Sequence, residues 1–483
     1  MTFKKTEGGR GPQGPRAGKR GPGQRPAPGA PAGRDNGRRP GPGGNQRPPL
    51  GIAARRVAAE LVAGVYRGKL LDQLLDTGPI ADAYQALEPR DRGLARAIVG
   101  FTLRHHGQIV DAMARFLNRP LPDDAGTLEA IMAVSVAQLL FMDVADHAAV
   151  TIGVELAATD KGAMAFKGLT NAVLRRVAEN RDAILASQDA LKLNTPDWLM
   201  QRWTATYGAD TARAIAEAHA IEPTLDLTVN GAAAAWAERL GGTVLPTGTV
   251  RLAITGAVEK LDGYSEGAWW VQDAAASLPV RLFGDVKGRK VVDLCAAPGG
   301  KTAQLAALGA DVTAIDIAWH RLDRMERNLT RLGLKAGLIK ADASEWLGGT
   351  FDCVLLDAPC TATGTLRRHP DGAMAKKPTD VAALAAAQRK LIDQAIRMLR
   401  PGGLLVYSTC SLEPEEGEDQ IRRLSLIDAP VDVVPVTADE VFGLTEVVTP
   451  EGYLRTLPCH LKGETPRLSG LDGFFAARLR KRA

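Results

Sequence analysis

Cysteine is scarce in this chain: five residues, at 295, 353, 360, 410 and 459, scattered through 483 positions. An odd, scattered set argues against a disulfide framework and for reduced thiols in a cytoplasmic protein. No cysteine is spaced with another, and with nearby histidines, as zinc ligands are, so no metal is expected. Long apolar runs are also missing. Nothing approaches the ~18 consecutive residues that a membrane span needs. The charged N-terminus lacks the apolar segment of a signal peptide.

Acid and base nearly cancel, with 60 Lys and Arg against 55 Asp and Glu. The distribution is uneven: residues 1–49 carry a net +9 and the remainder a net −4. Residues 1–48 are mostly Gly, Pro, Arg and Gln, with too little apolar content to offset the entropy of ordering, and are expected to be disordered. Two readings stand for this tail, a salt-sensitive contact with RNA phosphates and a solubilising extension.

From 49 to about 185 the pattern is helical. Val57, Leu61, Val65 and Tyr66 share one face of a helix over 53–66. Further helices are expected over 92–106, 109–117, 128–141, 147–158 and 166–176. The helix over 128–141 is apolar nearly all round and should be buried. His105 and His106 read as surface or capping residues. Lys161, Lys167, Arg175 and Arg176 form a basic patch that suits RNA phosphate or simple solvation. A smaller α+β connector follows over 186–266, with helices near 198–207, 211–219 and 232–240 and strands near 225–230 and 250–254.

The rest of the chain is organised around residues 291–302. Val291 to Leu294 reads as a buried parallel strand, Cys295-Ala296-Ala297-Pro298-Gly299-Gly300-Lys301 as a turn, and 303–308 as a helix. Strand, glycine turn and helix open a Rossmann-like sheet, whose ligands sit at the carboxyl ends of the strands. A nucleotide-hydrolysing loop is the competing reading, but Cys295 holds the position where that motif requires glycine. Asp316 ends the second strand, placed to hold ribose hydroxyls, and Asp342 ends the third, placed for an adenine amino group. A fourth strand, 351–357, ends at Asp357 and leads into Cys360; a fifth, 404–409, ends at Cys410. A strand at 269–271 running into a helix should cover the cofactor site, and 473–479 should close the sheet.

Cys353 lies within a strand and reads as a small core residue. Cys360 and Cys410 follow neighbouring strands into the crevice. Such thiols suit covalent catalysis on a pyrimidine, where addition at carbon 6 makes carbon 5 nucleophilic toward a methyl donor. Asp357 is placed to contact ring nitrogen 3. Spacing alone does not say which thiol attacks. Arg367 and Arg368, soon after Cys360, suit RNA phosphate or a solvated loop.

The motifs 295–302, Asp357-Ala358-Pro359-Cys360 and Ser408-Thr409-Cys410-Ser411 resemble those of the RsmB/NOP-Sun family of RNA cytosine-5 methyltransferases. The words 91–96 and 167–175 resemble the NusB family. The resemblance implies a multidomain chain: an all-α NusB-like RNA-binding bundle (49–185), the α+β connector, and an α/β Rossmann-like, class I S-adenosylmethionine-dependent methyltransferase domain (267–483). It implies Cys410 as nucleophile, Cys360 in product release, and cofactor contacts from Cys295, Ala296, Ala297, Pro298, Gly299, Gly300, Lys301, Asp316, Asp342 and Asp357. Members with the NusB-like bundle modify cytosine 967 of 16S ribosomal RNA, so that RNA, or an early 30S assembly intermediate, is the expected partner of a monomer. The same chemistry on transfer RNA or another ribosomal site, and a non-catalytic RNA-binding assembly or antitermination factor, are the alternatives.

Overall fold

Residues 51–253 and 256–483 are described by the computed structural model. The basic tail and the last residue of the strand expected at 250–254 lie outside them.

The N-terminal bundle is built on the helix Leu128–Phe141, in which every residue from Ala130 to Leu140 is buried. Its polar residues are satisfied internally. The Ser135 hydroxyl donates to the Ile131 carbonyl at 2.8 Å, and Gln138 accepts from the buried Arg55 guanidinium at 2.6 Å. Around it pack Ile52–Tyr66, Pro89–Arg104, His106–Ala114, Asp146–Thr159 and Lys167–Glu179. Each fully buried Leu or Ile contributes roughly 1.5–3 kcal/mol, and Leu139→Ala would cost about 2–5 kcal/mol. Two short helices, Leu71–Asp76 and Pro79–Gln85, fill a stretch with no expected element. His105 and His106 are half-buried: His105 takes the cap position between Pro89–Arg104 and His106–Ala114, as expected, and stacks on Phe141 with centroids 4.0 Å apart, while His106 Nδ1 meets the Tyr66 hydroxyl at 3.2 Å. Burial lowers the pKa of both imidazoles.

The connector contributes helices Asp197–Tyr207 and Ala209–Ala220 and a small antiparallel sheet of β1 (Leu225–Val229), β2 (Thr243–Val244), β3 (Val250–Leu252) and β4 (Trp269–Val271), in the order β2-β3-β1-β4. The strand at 269–271 therefore pairs with β1. It runs into a short helical segment, the 3-10 turn Ala275–Ser277 continuing as the helix Leu278–Arg281.

The large sheet comprises β5 (Lys290–Leu294), β6 (Asp311–Asp316), β7 (Gly337–Lys340), β8 (Phe351–Asp357), β9 (Leu399–Thr409), β10 (Val431–Val433), β11 (Leu454–Thr456) and β12 (Phe474–Lys481). Its order is β7-β6-β5-β8-β9-β12-β10, with β11 also on β12. The first five strands are parallel, and β12 runs antiparallel to β9. The order reverses between β5 and β8, which is where a doubly wound sheet opens its ligand crevice. Chain continuity therefore brings the turn after β5 beside the thiols after β8 and β9.

Bundle, connector and sheet meet at the loop after Cys360. Arg104 of the bundle donates to the Arg367 carbonyl at 2.7 Å, while the Arg367 N–H donates to His219 of the connector at 3.1 Å. The Leu71 N–H donates to Asp371 at 2.9 Å.

Candidate active site

Two residues of the turn after β5 take positive φ. Cys295 takes φ 63° and Gly299 φ 100°. At Gly299 a Cβ would come within 2.6 Å of the Met325 side chain, so glycine is required there both by conformation and by space. Gly300 starts the helix Gly300–Ala307 with no atom of another residue closer than 3.7 Å to where a Cβ would stand, leaving the helix N-terminus open to a ligand.

Asp316, nearly buried at the end of β6, accepts the Ala297 N–H at 3.1 Å and the Ala318 N–H at 3.0 Å. Arg321 pairs with it at 3.3 Å and donates to the Ala297 carbonyl. The expected ribose ligand thus also fixes the shape of the turn. Its carboxylate retains lone pairs for a hydroxyl donor. Asp342 lies exposed just beyond β7, where hydrogen bonds from the Ser344 hydroxyl (2.7 Å) and N–H (2.8 Å) hold its carboxyl below the usual range. Ile317 and Trp319, exposed beside Asp316, escaped the sequence reading and offer apolar surface at this edge. A large exposed hydrophobe directly after the acidic strand end was the available signal.

Asp293 is fully buried beneath the turn. It accepts the Thr302 hydroxyl at 2.5 Å, its other oxygen has no partner, and burial pushes its pKa up to about 7. A turn of open backbone with an unpartnered polar atom under it and acids at two strand ends fits a nucleoside cofactor. Burial and the carboxylates of Asp316, Asp357 and Asp293 push the Cys295 thiol up to about 12, so Cys295 behaves as a neutral lining residue.

Lys301 Nζ pairs with Asp357 at 2.7 Å and lies 4.8 Å from the centre of the Phe474 ring. The Ser408 hydroxyl donates to the other oxygen of Asp357 at 2.9 Å. Both carboxylate oxygens are therefore aimed before any substrate binds. The two thiols that the sequence placed at neighbouring strand ends are in contact: Cys360 Sγ lies 3.5 Å from Cys410 Sγ. That contact, burial and the nearby Glu416 carboxylate push the Cys360 thiol well up. The loop after Cys360 is tied down at Gly364, whose N–H donates to the Cys410 carbonyl at 3.0 Å and whose carbonyl accepts the Gly473 N–H at 2.8 Å. Cys353 lies in the core, as expected.

Arg367 and Arg368 correct the sequence reading. Arg367 is 2% exposed. Arg368 pairs with Asp472 at 3.0 Å and with Asp273, so neither arginine presents its charge to a phosphate. Arg175 and Arg176 stand exposed on the helix Lys167–Glu179, with Lys167 at its start and Lys161 nearby. Among the described residues no group of three or more His, Cys, Asp or Glu side chains could hold a metal, and no helix is long and apolar enough to cross a membrane.

Known proteins share this arrangement. The 16S rRNA methyltransferase RsmB/F family model matches residues 282–480, and the NusB family model matches 52–179. Ribosomal RNA small subunit methyltransferase B of Cronobacter sakazakii is 35% identical over 453 residues, covering 89% of this chain and 99% of its own. The protein of the same description from Salmonella paratyphi B is 35% identical over 449 residues, covering 89% and 98%. Among solved structures, the crystal structure of PH0851 aligns with a TM-score of 0.68 at 23% identity, over 90% of this chain and 99% of that one. NSun6 from Pyrococcus horikoshii, solved with SFG, aligns at 0.50 and 22% identity, over 60% and 98%. S-adenosylmethionine is the cofactor of this protein. The chain belongs to the ribosomal RNA small subunit methyltransferase B family, with its NusB domain in front of its methyltransferase domain.

Proposed function

We propose that this protein methylates carbon 5 of a cytosine in ribosomal RNA, cytosine 967 of the 16S molecule, through a covalent bond between Cys410 and carbon 6. The observation that carries this reading is the 3.5 Å contact between Cys410 and Cys360 beside the cofactor turn. Bound S-adenosylmethionine supplies an electrophilic sulfonium methyl group, held by residues 295–301 with Asp316 and Asp342. The Cys410 thiolate bonds to carbon 6 with its electron pair, and the π pair displaced from the carbon 5–carbon 6 bond makes carbon 5 the nucleophile. Asp357, aimed by Lys301 and Ser408, shares the charge at nitrogen 3. After methylation, the carbon 5 proton passes to a base, the step in which Cys360 assists; the C–H electron pair restores the carbon 5–carbon 6 double bond and the Cys410 thiolate leaves. The base enters unpaired or flipped from its stack.

The bundle's exposed Arg175 and Arg176 support contact with the phosphates of the 16S RNA or of an early 30S intermediate. One crevice with both thiols in each chain favours a monomer in a cytoplasmic setting. Bisulfite sequencing of RNA from cells with and without the gene tests the target. Loss of one 16S methylcytosine is expected; loss from a transfer RNA alone would redirect the substrate, and no change anywhere would favour a non-catalytic binding factor. With purified protein, Cys410→Ala should abolish transfer, and Cys360→Ala should accumulate a protein–RNA adduct stable to denaturing electrophoresis.

A further inference from the structure

One residue beside each thiol, Thr361 after Cys360 and Ser411 after Cys410, bonds to the same buried carboxylate. Glu416, on the short turn Pro414–Glu416, is fully buried. Its carboxylate accepts the Thr361 N–H at 3.0 Å, the Thr361 hydroxyl, and the Ser411 hydroxyl at 2.6 Å. Its backbone carbonyl accepts the Tyr407 hydroxyl at 2.6 Å and the Thr409 hydroxyl at 3.3 Å. Gln388, equally buried on the helix Pro378–Met398, donates to Glu416 at 3.0 Å and to the Pro359 carbonyl at 2.9 Å. Pro359 and Thr361 flank Cys360, and Thr409 and Ser411 flank Cys410.

A buried carboxylate surrounded by donors is a fixed point, because moving any donor leaves it unsatisfied. The pairing of β8 with β9 brings the two loops side by side, and Glu416 is the buried charged group that bonds to a residue next to each thiol. We propose that Glu416, braced by Gln388, is the positioning residue that sets the distance between the Cys360 and Cys410 thiols, so that both reach one pyrimidine. The inference rests on the covalent cytosine-methylation reading for its purpose, but not for its geometry. The ionisable groups around Cys360 are Tyr407 on β9, and Cys410 and Glu416 beyond it. The Glu416 charge opposes formation of a thiolate at Cys360.

The test uses the full-length protein as wild type, Glu416→Gln, Glu416→Ala and Gln388→Ala. Diamide takes two electrons and two protons from a thiol pair and leaves a disulfide; mass spectrometry follows closure of the Cys360–Cys410 bond without RNA. Glu416→Ala should close it at least ~10-fold more slowly, with Glu416→Gln near the wild-type rate and Gln388→Ala between them. Alkylation of Cys360 against pH should move lower in Glu416→Gln, because the charge is gone. With RNA, Glu416→Ala should lose about 10²-fold in kcat with little change in KM.

A folded Glu416→Ala protein that closes the disulfide at the wild-type rate overturns the proposal. If that variant does not fold, an unshifted alkylation profile in Glu416→Gln overturns it. Slowed closure and a shifted profile, in a protein whose wild type methylates no cytosine, would support the positioning role and sink the covalent-methylation reading instead.

Discussion

The guanidinium of Arg368 and the carboxylate of Asp472 meet at 3.0 Å although 104 residues separate them in sequence. Arg368 also pairs with Asp273 and lies 3.8 Å from Asp226, which Arg251 holds at 2.7 Å. The network joins the connector sheet, the loop after Cys360 and the segment before β12. Arg368→Ala would leave buried carboxylates without their cation, at a cost of about 3–5 kcal/mol. Thermal unfolding should show that loss, while the salt dependence of RNA binding stays at the wild-type slope. A reduced slope with unchanged stability would instead restore the phosphate contact expected from sequence.

Asp293 makes stability depend on pH in a defined direction. Its carboxyl rises from 3.8 to about 7 in the folded state, so between these values the folded chain holds a proton that the unfolded chain has released. The stability it contributes is complete below about pH 4 and declines as pH rises toward 7. Asp293→Asn should flatten this part of the curve, by up to about 4 kcal/mol between its ends. Denaturant titrations at pH 5 and pH 8, compared between variant and wild type, measure it; equal slopes in the two proteins would refute the assignment.

Arg104 bonds the bundle to the Arg367 carbonyl at 2.7 Å. Arg104→Ala should weaken that seam by about 1.5–3 kcal/mol, the worth of a charged hydrogen bond. Limited trypsin digestion should then release the bundle faster than in the wild type. An unchanged digestion rate would mean that Asp371 and Leu71 hold the seam without it.

Arg175 and Arg176 give the opposite pattern to Arg368. Both are exposed, so replacing the pair with alanine should alter stability by no more than about 0.5 kcal/mol each. If each meets an RNA phosphate, the slope of log affinity against log salt should fall by about 0.7–0.9 per contact. Filter binding to 16S RNA over a salt series decides this, and an unaltered slope would leave the patch merely solvated.

Long, strongly patterned elements were legible in the sequence. The apolar runs ending at Leu294, Asp316, Asp357 and Thr409 became strands because each is buried on both faces of a parallel sheet, and that burial leaves continuous hydrophobicity behind. Leu128–Phe141 was legible for the same reason. Three-residue strands such as Val431–Val433 and Leu454–Thr456 were not, since only the neighbouring β12 makes them strands. Trp269–Val271 was seen as a strand, but its partner in the connector lies outside any local pattern.

At the site, the turn and the two thiols carried their own signals. The arginine pair was misread because an Arg-Arg dipeptide in a loop reads as solvated, and its three carboxylate partners come from distant segments. Glu416 was invisible for a related reason: Pro414-Glu415-Glu416 has the composition of an exposed acidic turn, and only the approach of Thr361 and Gln388 reveals a buried one.

Strand β12 lies between β9 and β10, yet it is formed by Phe474–Lys481, far downstream of both. A nascent chain reaches that point about 4–14 s after Cys410 has been added, at ordinary rates of synthesis. Through that interval the outer edge of β9, the strand that leads into Cys410, has no partner. The helical bundle, made of earlier and more local contacts, can already have folded. A message broken in its last codons would therefore yield a chain with a formed bundle and a bare strand edge, a substrate for chaperones and proteases rather than a weaker enzyme.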